Sequence, residues 1–171
     1  VDASYIELKM HPAKGAHLVA IEAVREVPFP IARTYYLFGG DPLTVHGRHA
    51  HRRGRLLVVC LRGECRVRLD DGQTSEEFFL DRPDRGLLLG PLLWEEYWLS
   101  SEAILLVLCD TPHDPDDQIT DYQEFLALAA SPGERSPIPF LGSQARQRPF
   151  QHRADRRHDQ SDGTGLLCQR T

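Results

Sequence analysis

The stretch that most restricts the fold is ECRVRLDDG, residues 64 to 72, because it alternates without a break. Cys65, Val67 and Leu69 fall on one side, and Glu64, Arg66, Arg68 and Asp70 on the other. Successive side chains of a strand point to opposite faces, so this is a half-buried β-strand, with Asp71 and Gly72 supplying a turn. Its neighbours repeat the theme. RLLVVCLRG (55–63) is a continuous apolar run, as expected of a strand buried on both faces. AHLVAIEA (16–23), IARTYYLFG (31–39), EEFFLDRP (76–83), RGLLLGPLLWEEYWLS (85–100) and AILLVLCD (103–110) follow the same grammar, with proline and glycine between runs. Short strands at this spacing, with no helices between them, predict an all-β antiparallel sandwich or barrel.

One helix is expected late in the chain. DYQEFLALAA (121–130) puts Tyr122, Phe125, Leu126 and Ala129 on one face, and Asp121 or Thr120 caps its start. After residue 131 no period of either kind survives. Seven arginines and scattered apolar residues there read as a poorly ordered tail, leaving one domain over 1–130. Composition narrows the function classes. A net charge of −5 argues against nucleic acid as the main partner, and no apolar run is long enough to span a membrane. VDASYIELKM shows no basic-then-apolar leader, and the cysteines Cys60, Cys65, Cys109 and Cys168 form no CxxC pair. Free thiols without an export signal predict a cytoplasmic protein.

The chemistry concentrates in GRHAHRRG (47–54), where His49 and His51 stand two apart and therefore share a strand face. Three uses fit such a pair: a metal clamp, a general base, or a solvated basic loop. An HxH on a barrel strand is similar to the cupin metal motif, but the glutamate of that motif is replaced by Arg55. Counting along PLLWEE (91–96) puts Glu96 where the third histidine belongs, so a site of His49, His51 and Glu96 remains open. Without a metal, a neutral imidazole titrates near working pH and can both take and return a proton. Arginines nearby suit an anionic handle such as a diphosphate.

LVAIE (18–22), PFPIARTYYLF (28–38), GRHAH (47–51), LLVVCLRGECRVRLDDG (56–72), FFLDRPDRGLLLGPLLW (78–94), LLVLCD (105–110) and DPDDQITDYQEFL (114–126) together resemble the FdtA/QdtA-type, WxcM-like sugar 3,4-ketoisomerases of the cupin superfamily. The likeness spans about residues 15 to 130. It implies a jelly-roll barrel, a homodimer that exchanges N-terminal strands, and catalysis with no metal or other cofactor. The implied substrate is a thymidine-diphosphate-linked 4-keto-6-deoxyhexose, and the implied reaction moves its ketone from C4 to C3 for deoxysugar and polysaccharide biosynthesis.

Within that reading His51 is the base and His49 its proton partner. Tyr35 is the pocket phenol, with Tyr36 in reserve on the other face of the same strand. Arg33 and Arg48 are the candidates for the diphosphate or a sugar hydroxyl, and Glu95 and Tyr97 share a face that can line the pocket. Two departures from the family stand out: His46 replaces an arginine, and Glu95 follows the tryptophan of GPxxW, where the family has a histidine or another polar residue. A metal-dependent cupin dioxygenase, a sugar-nucleotide epimerase and a non-catalytic sugar-binding cupin are the alternatives.

Overall fold

A computed structural model describes residues 1 to 130; the expected tail over 131–171, with Cys168, lies outside the described residues. Twelve strands and one helix follow in chain order: β1 (Ala3–Glu7), β2 (Met10–Ala13), β3 (Ala16–Val19), β4 (Arg33–Phe38), β5 (His46–His51), β6 (Leu56–Arg62), β7 (Cys65–Asp70), β8 (Ser75–Leu80), β9 (Arg85–Leu89), β10 (Trp94–Leu99), β11 (Ile104–Cys109), β12 (Gln118–Ile119) and α1 (Tyr122–Ala129). A 3-10 turn over Pro115–Asp117 precedes β12. The runs read as strands are strands, and the long run at 85–100 is two of them, split where Gly90 and Pro91 interrupt the ladder. The sequence reading missed β1, β2 and β12, which are short and carry no continuous apolar face.

The strands form two five-stranded sheets, ordered β1-β9-β6-β11-β4 and β12-β5-β10-β7-β8, plus the β2–β3 hairpin. Every ladder between named strands is antiparallel. Among the described residues no ladder joins one five-stranded sheet to the other. The all-β expectation therefore stands as a pair of facing sheets, and the barrel is not closed by hydrogen bonds.

What joins the sheets is the core. Leu56, Val58, Leu87, Leu89, Leu105 and Val107 from one sheet pack with Cys65, Val67, Leu69, Phe78, Leu80 and Leu99 from the other. Strand β6 is buried on both faces because a second cluster, including Val27, Phe29 and Leu8, covers the outer side of its sheet at Leu57 and Val59. Each such Leu or Val contributes roughly 1.5–3 kcal/mol relative to an exposed one. The three described cysteines are free and buried, and burial pushes the Cys60 and Cys109 thiols up to about 11 and that of Cys65 to about 12. They are packing residues, as their apolar runs imply.

Helix α1 begins as its sequence dictates. Asp121 is the N-cap, its carboxylate accepting from the Glu124 N–H at 2.8 Å. Phe125 and Ala129 then close over Ala50, Leu92, Trp94 and Ile119, which seals the outer face of β5 and β10. That face matters because the other side of the same two strands carries the histidines.

Candidate active site

Strands β5 and β10 lie side by side, and their register sets the site. Glu95 pairs with His49, the register then shifts, and Glu96 pairs with Gly47. Arg48 is the extra residue, a β-bulge in a left-handed conformation with φ of 57° beside Gly47 at 81°. Glycine is required at 47: a Cβ there would meet the Glu95 carbonyl oxygen at 2.7 Å. The bulge turns Arg48 outward while His49 and His51 face the space between the sheets.

Inside, the two imidazoles stand edge to face, ring centroids 5.1 Å apart. One carboxylate oxygen, Glu95 Oε1, lies 3.9 Å from His49 Nε2 and 3.7 Å from His51 Nε2. The other, Oε2, accepts a hydrogen bond from the Tyr97 hydroxyl. Glu95 is only 3% exposed, which is where a carboxylate is found when its partners are built around it. His51 Nε2 is buried without a hydrogen-bond partner among the described residues, while its Nδ1 lies 3.1 Å from Asp117 Oδ2.

The facing sheet contributes Tyr35. Arg33, Tyr35 and Leu37 point inward on β4, with Thr34, Tyr36 and Phe38 outward. Burial raises the Tyr35 hydroxyl well above its ordinary value; the Glu95 charge and Cys109 add to this, and Arg33 opposes it. Tyr97 is raised well above its ordinary value for the same first reason, with Glu95 second. Both are neutral phenols, able to donate and accept, across any working pH. The Arg33 guanidinium lies over the Tyr35 ring at 4.6 Å and contacts His113 Nδ1 at 3.1 Å.

Three expectations need correction. Tyr36 is 63% exposed and tilts against Phe38 on the outer face, so strand alternation removes it from the site. Arg48, reversed by the bulge, lines an outer cleft of about 280 Å³ with Arg68, Asp70, Trp94, Glu96 and Tyr122. Glu96 belongs to that cleft too, 3.6 Å from Arg68, so it cannot join the histidines as a metal ligand. Counting along a motif misplaced the carboxylate by one residue, and on a strand one residue is the whole width of the sheet. Among the described residues the set whose ligand atoms converge within 4.8 Å is His49, His51 and Glu95, and these would hold a divalent ion if one bound.

The arginines after His51 also differ from expectation. Arg52 pairs with Glu124, Arg53 with Asp114 and Asp117, and Arg55 with Asp110 at 2.6 Å. The basic run HRRGR is thus matched by the acidic segment that follows β11, and it fastens that segment across the end of β5. Sequence reasoning missed Asp117, Asp110 and His113; the signal available was the charge complementarity of the two segments.

The family model described as FdtA: WxcM-like, C-terminal matches residues 1–130. A TDP-4-oxo-6-deoxy-α-D-glucose-3,4-oxoisomerase of Aneurinibacillus thermoaerophilus is 42% identical over 118 residues, covering 68% of this chain and 84% of that protein. The chain belongs to the FdtA/QdtA-type sugar 3,4-ketoisomerase family.

Solved ketoisomerase structures agree with that assignment. A 3,4-ketoisomerase from Helicobacter canadensis superposes with a TM-score of 0.74 at 31% identity, covering 76% of this chain and 98% of its own. QdtA from Thermoanaerobacterium thermosaccharolyticum, solved in complex with TDP, gives 0.73 at 31% identity, covering 75% and 94%. A 4-keto-6-deoxy sugar epimerase from Streptomyces spheroides, 18% identical with a TM-score of 0.59, shares the fold alone.

Proposed function

We infer that this chain is a TDP-4-keto-6-deoxyhexose 3,4-ketoisomerase of deoxysugar biosynthesis, an isomerase whose proton carriers are the imidazoles of β5. The observation that carries the mechanism is the buried, unpartnered His51 Nε2 between the two sheets, with His49 and the Glu95 carboxylate beside it.

The reaction needs a proton taken from one carbon and returned to its neighbour. The C3 proton is acidic only because the C4 ketone can accept the electron pair as an enediolate. His51 Nε2 removes it; the C3–H electrons form the C3–C4 double bond, and the carbonyl π electrons move to O4. The proton of the 3-hydroxyl must then pass to O4, and a neutral phenol can relay it by accepting one proton while giving another. Tyr35 is suited to that task because burial keeps it neutral. The O3 electrons then form the C3 carbonyl, the C3=C4 electron pair takes a proton from the imidazolium at C4, and the ketone stands at C3. Glu95 steadies the transient imidazolium from 3.7 Å, in a setting where little water screens the pair. General acid–base catalysis of this kind supplies about 10²–10⁴-fold in rate. No step calls for a metal.

Arg33 is the inner-face guanidinium and takes the diphosphate or a sugar hydroxyl, ordered by its stacking on Tyr35. The two sheets are read as the halves of a cupin-type jelly roll. A homodimer is proposed on the exposed apolar residues Met10 and Leu18 of the β2–β3 hairpin and Tyr36 and Phe38 of edge strand β4. Such residues and an open sheet edge call for a covering surface. A cytoplasmic location is proposed on the free thiols of Cys60, Cys65 and Cys109. The test is an incubation with TDP-4-keto-6-deoxyglucose followed by NMR of the sugar. A 3-keto product is expected; a ketone retained at C4, epimerised or not, overturns the assignment.

A further inference from the structure

The mechanism above needs the Nε2 lone pair of His51 to be bare, yet a neutral imidazole can carry its proton on either nitrogen. The neighbours of Asp117 decide which. Its carboxylate is buried between the end of β5 and the 3-10 turn, with Oδ2 at 3.1 Å from His51 Nδ1. Oδ1 accepts the Arg53 backbone N–H at 3.0 Å and lies 3.6 Å from the Arg53 guanidinium. The Asp117 main chain is fixed as well. Its carbonyl accepts the Arg52 N–H at 2.8 Å, and its next residue, Gln118, pairs with His51 in the β5–β12 ladder. Gly54 leaves room for it, since a Cβ there would come within 3.1 Å of Oδ2.

We propose that Asp117 is the positioning residue that holds His51 as its Nδ1–H tautomer and so makes Nε2 the base. An ionised carboxylate can only accept, so with Oδ1 taken by the Arg53 backbone N–H and Oδ2 beside the ring, the ring proton must sit on Nδ1. Nε2 then lies between the sheets with no hydrogen-bond partner among the described residues: Glu95 Oε1, at 3.7 Å, is too far for a hydrogen bond. Once Nε2 takes the substrate proton, the same carboxylate steadies the imidazolium through Nδ1. The proposal rests on His51 being the base, and it adds which nitrogen acts and why.

Two substitutions separate this role from simple support. In Asp117→Asn the amide oxygen keeps the place opposite the Arg53 N–H, so the NH₂ takes the place of Oδ2. It donates to Nδ1 and drives the ring proton onto Nε2, the wrong nitrogen. Asp117→Ala imposes no tautomer and leaves part of the population competent. The expected order of kcat is wild type, then Ala, then Asn, the Asn variant down by about 10³-fold, with TDP affinity within about twofold of wild type throughout. A structural prop alone gives the opposite order, because Asn preserves the shape and Ala does not. Nitrogen-15 NMR of the His51 ring reads the tautomer without turnover: Nδ1–H in wild type, Nε2–H in Asp117→Asn. Nε2–H in wild type, an Asn variant more active than the Ala variant, or an Asn variant within about threefold of wild type each overturns the proposal. If wild type isomerises no 4-keto sugar, the functional reading has failed, and the ring spectrum still decides the tautomer.

Discussion

Strand β10 has two faces of different character. Outward, Trp94 lies under Tyr122 and Phe125, and Glu96 is answered by Arg68. Inward, Glu95 is buried with a phenol on one oxygen and two imidazoles near the other, and no arginine or lysine pairs with it among the described residues. The outer face resolves its charges as a structural surface does. The inner face keeps a carboxylate and an open imidazole nitrogen where water is scarce, an arrangement retained at the expense of stability that marks a working site.

The sharpest way to break the comparison is to remove charge at adjacent positions. Glu95→Gln should lower kcat by about 10–100-fold, because the amide still meets Tyr97 but no longer steadies an imidazolium. Glu96→Gln should leave kcat within about twofold and stability within about 1 kcal/mol, as expected of a partly exposed pair at the surface. Equal losses at both positions would erase the distinction, and steady-state kinetics on the two variants decides it.

Packing supplies a second contrast. Phe125→Ala, at the centre of the helix–sheet contact, should cost about 3–5 kcal/mol by denaturant unfolding, with the residual folded enzyme retaining its activity. A loss of activity larger than the loss of folded protein would mean that the outer layer shapes the site more than supposed.

The smaller effect is one of pH. Tyr97 holds its proton more tightly folded than its ordinary value of 10.0 implies. Its contribution to stability is therefore complete below about pH 10 and is lost as pH rises beyond it, toward the folded value. Stability measured from pH 9 upward should fall, and Tyr97→Phe should flatten that fall. An unchanged slope would remove Tyr97 as its source.

Much of this was legible in the residues. Strict alternation placed β7 with its buried face correct, Asp121 announced the helix, and period two put His49 with His51 and Glu95 with Tyr97. What escaped did so for definable reasons. Arg48 was named as a stand-in for the family arginine at His46, although alternation from His49 and His51 already puts it on the outer face, where it lies. Glu96 was named as the third ligand of the alternative metal site by counting along a motif, whereas alternation from Tyr97 put Glu95 in the pocket. Arg52, Arg53 and Arg55 looked available for a diphosphate because their carboxylate partners, Glu124, Asp114 and Asp110, lie more than fifty residues away. Asp117 was invisible for the same reason: its partner His51 is 66 residues distant, and only the ladder between β5 and β12 brings them together.

The account stands on hydrogen being carried between adjacent sugar carbons by His51. Turnover of TDP-4-keto-6-deoxyglucose in deuterium oxide, followed by NMR, tests this most directly. Deuterium should appear at C4 of the 3-keto product with wild type, and His51→Asn should abolish both label and rearrangement. Rearrangement that persists at the wild-type rate in His51→Asn would contradict it.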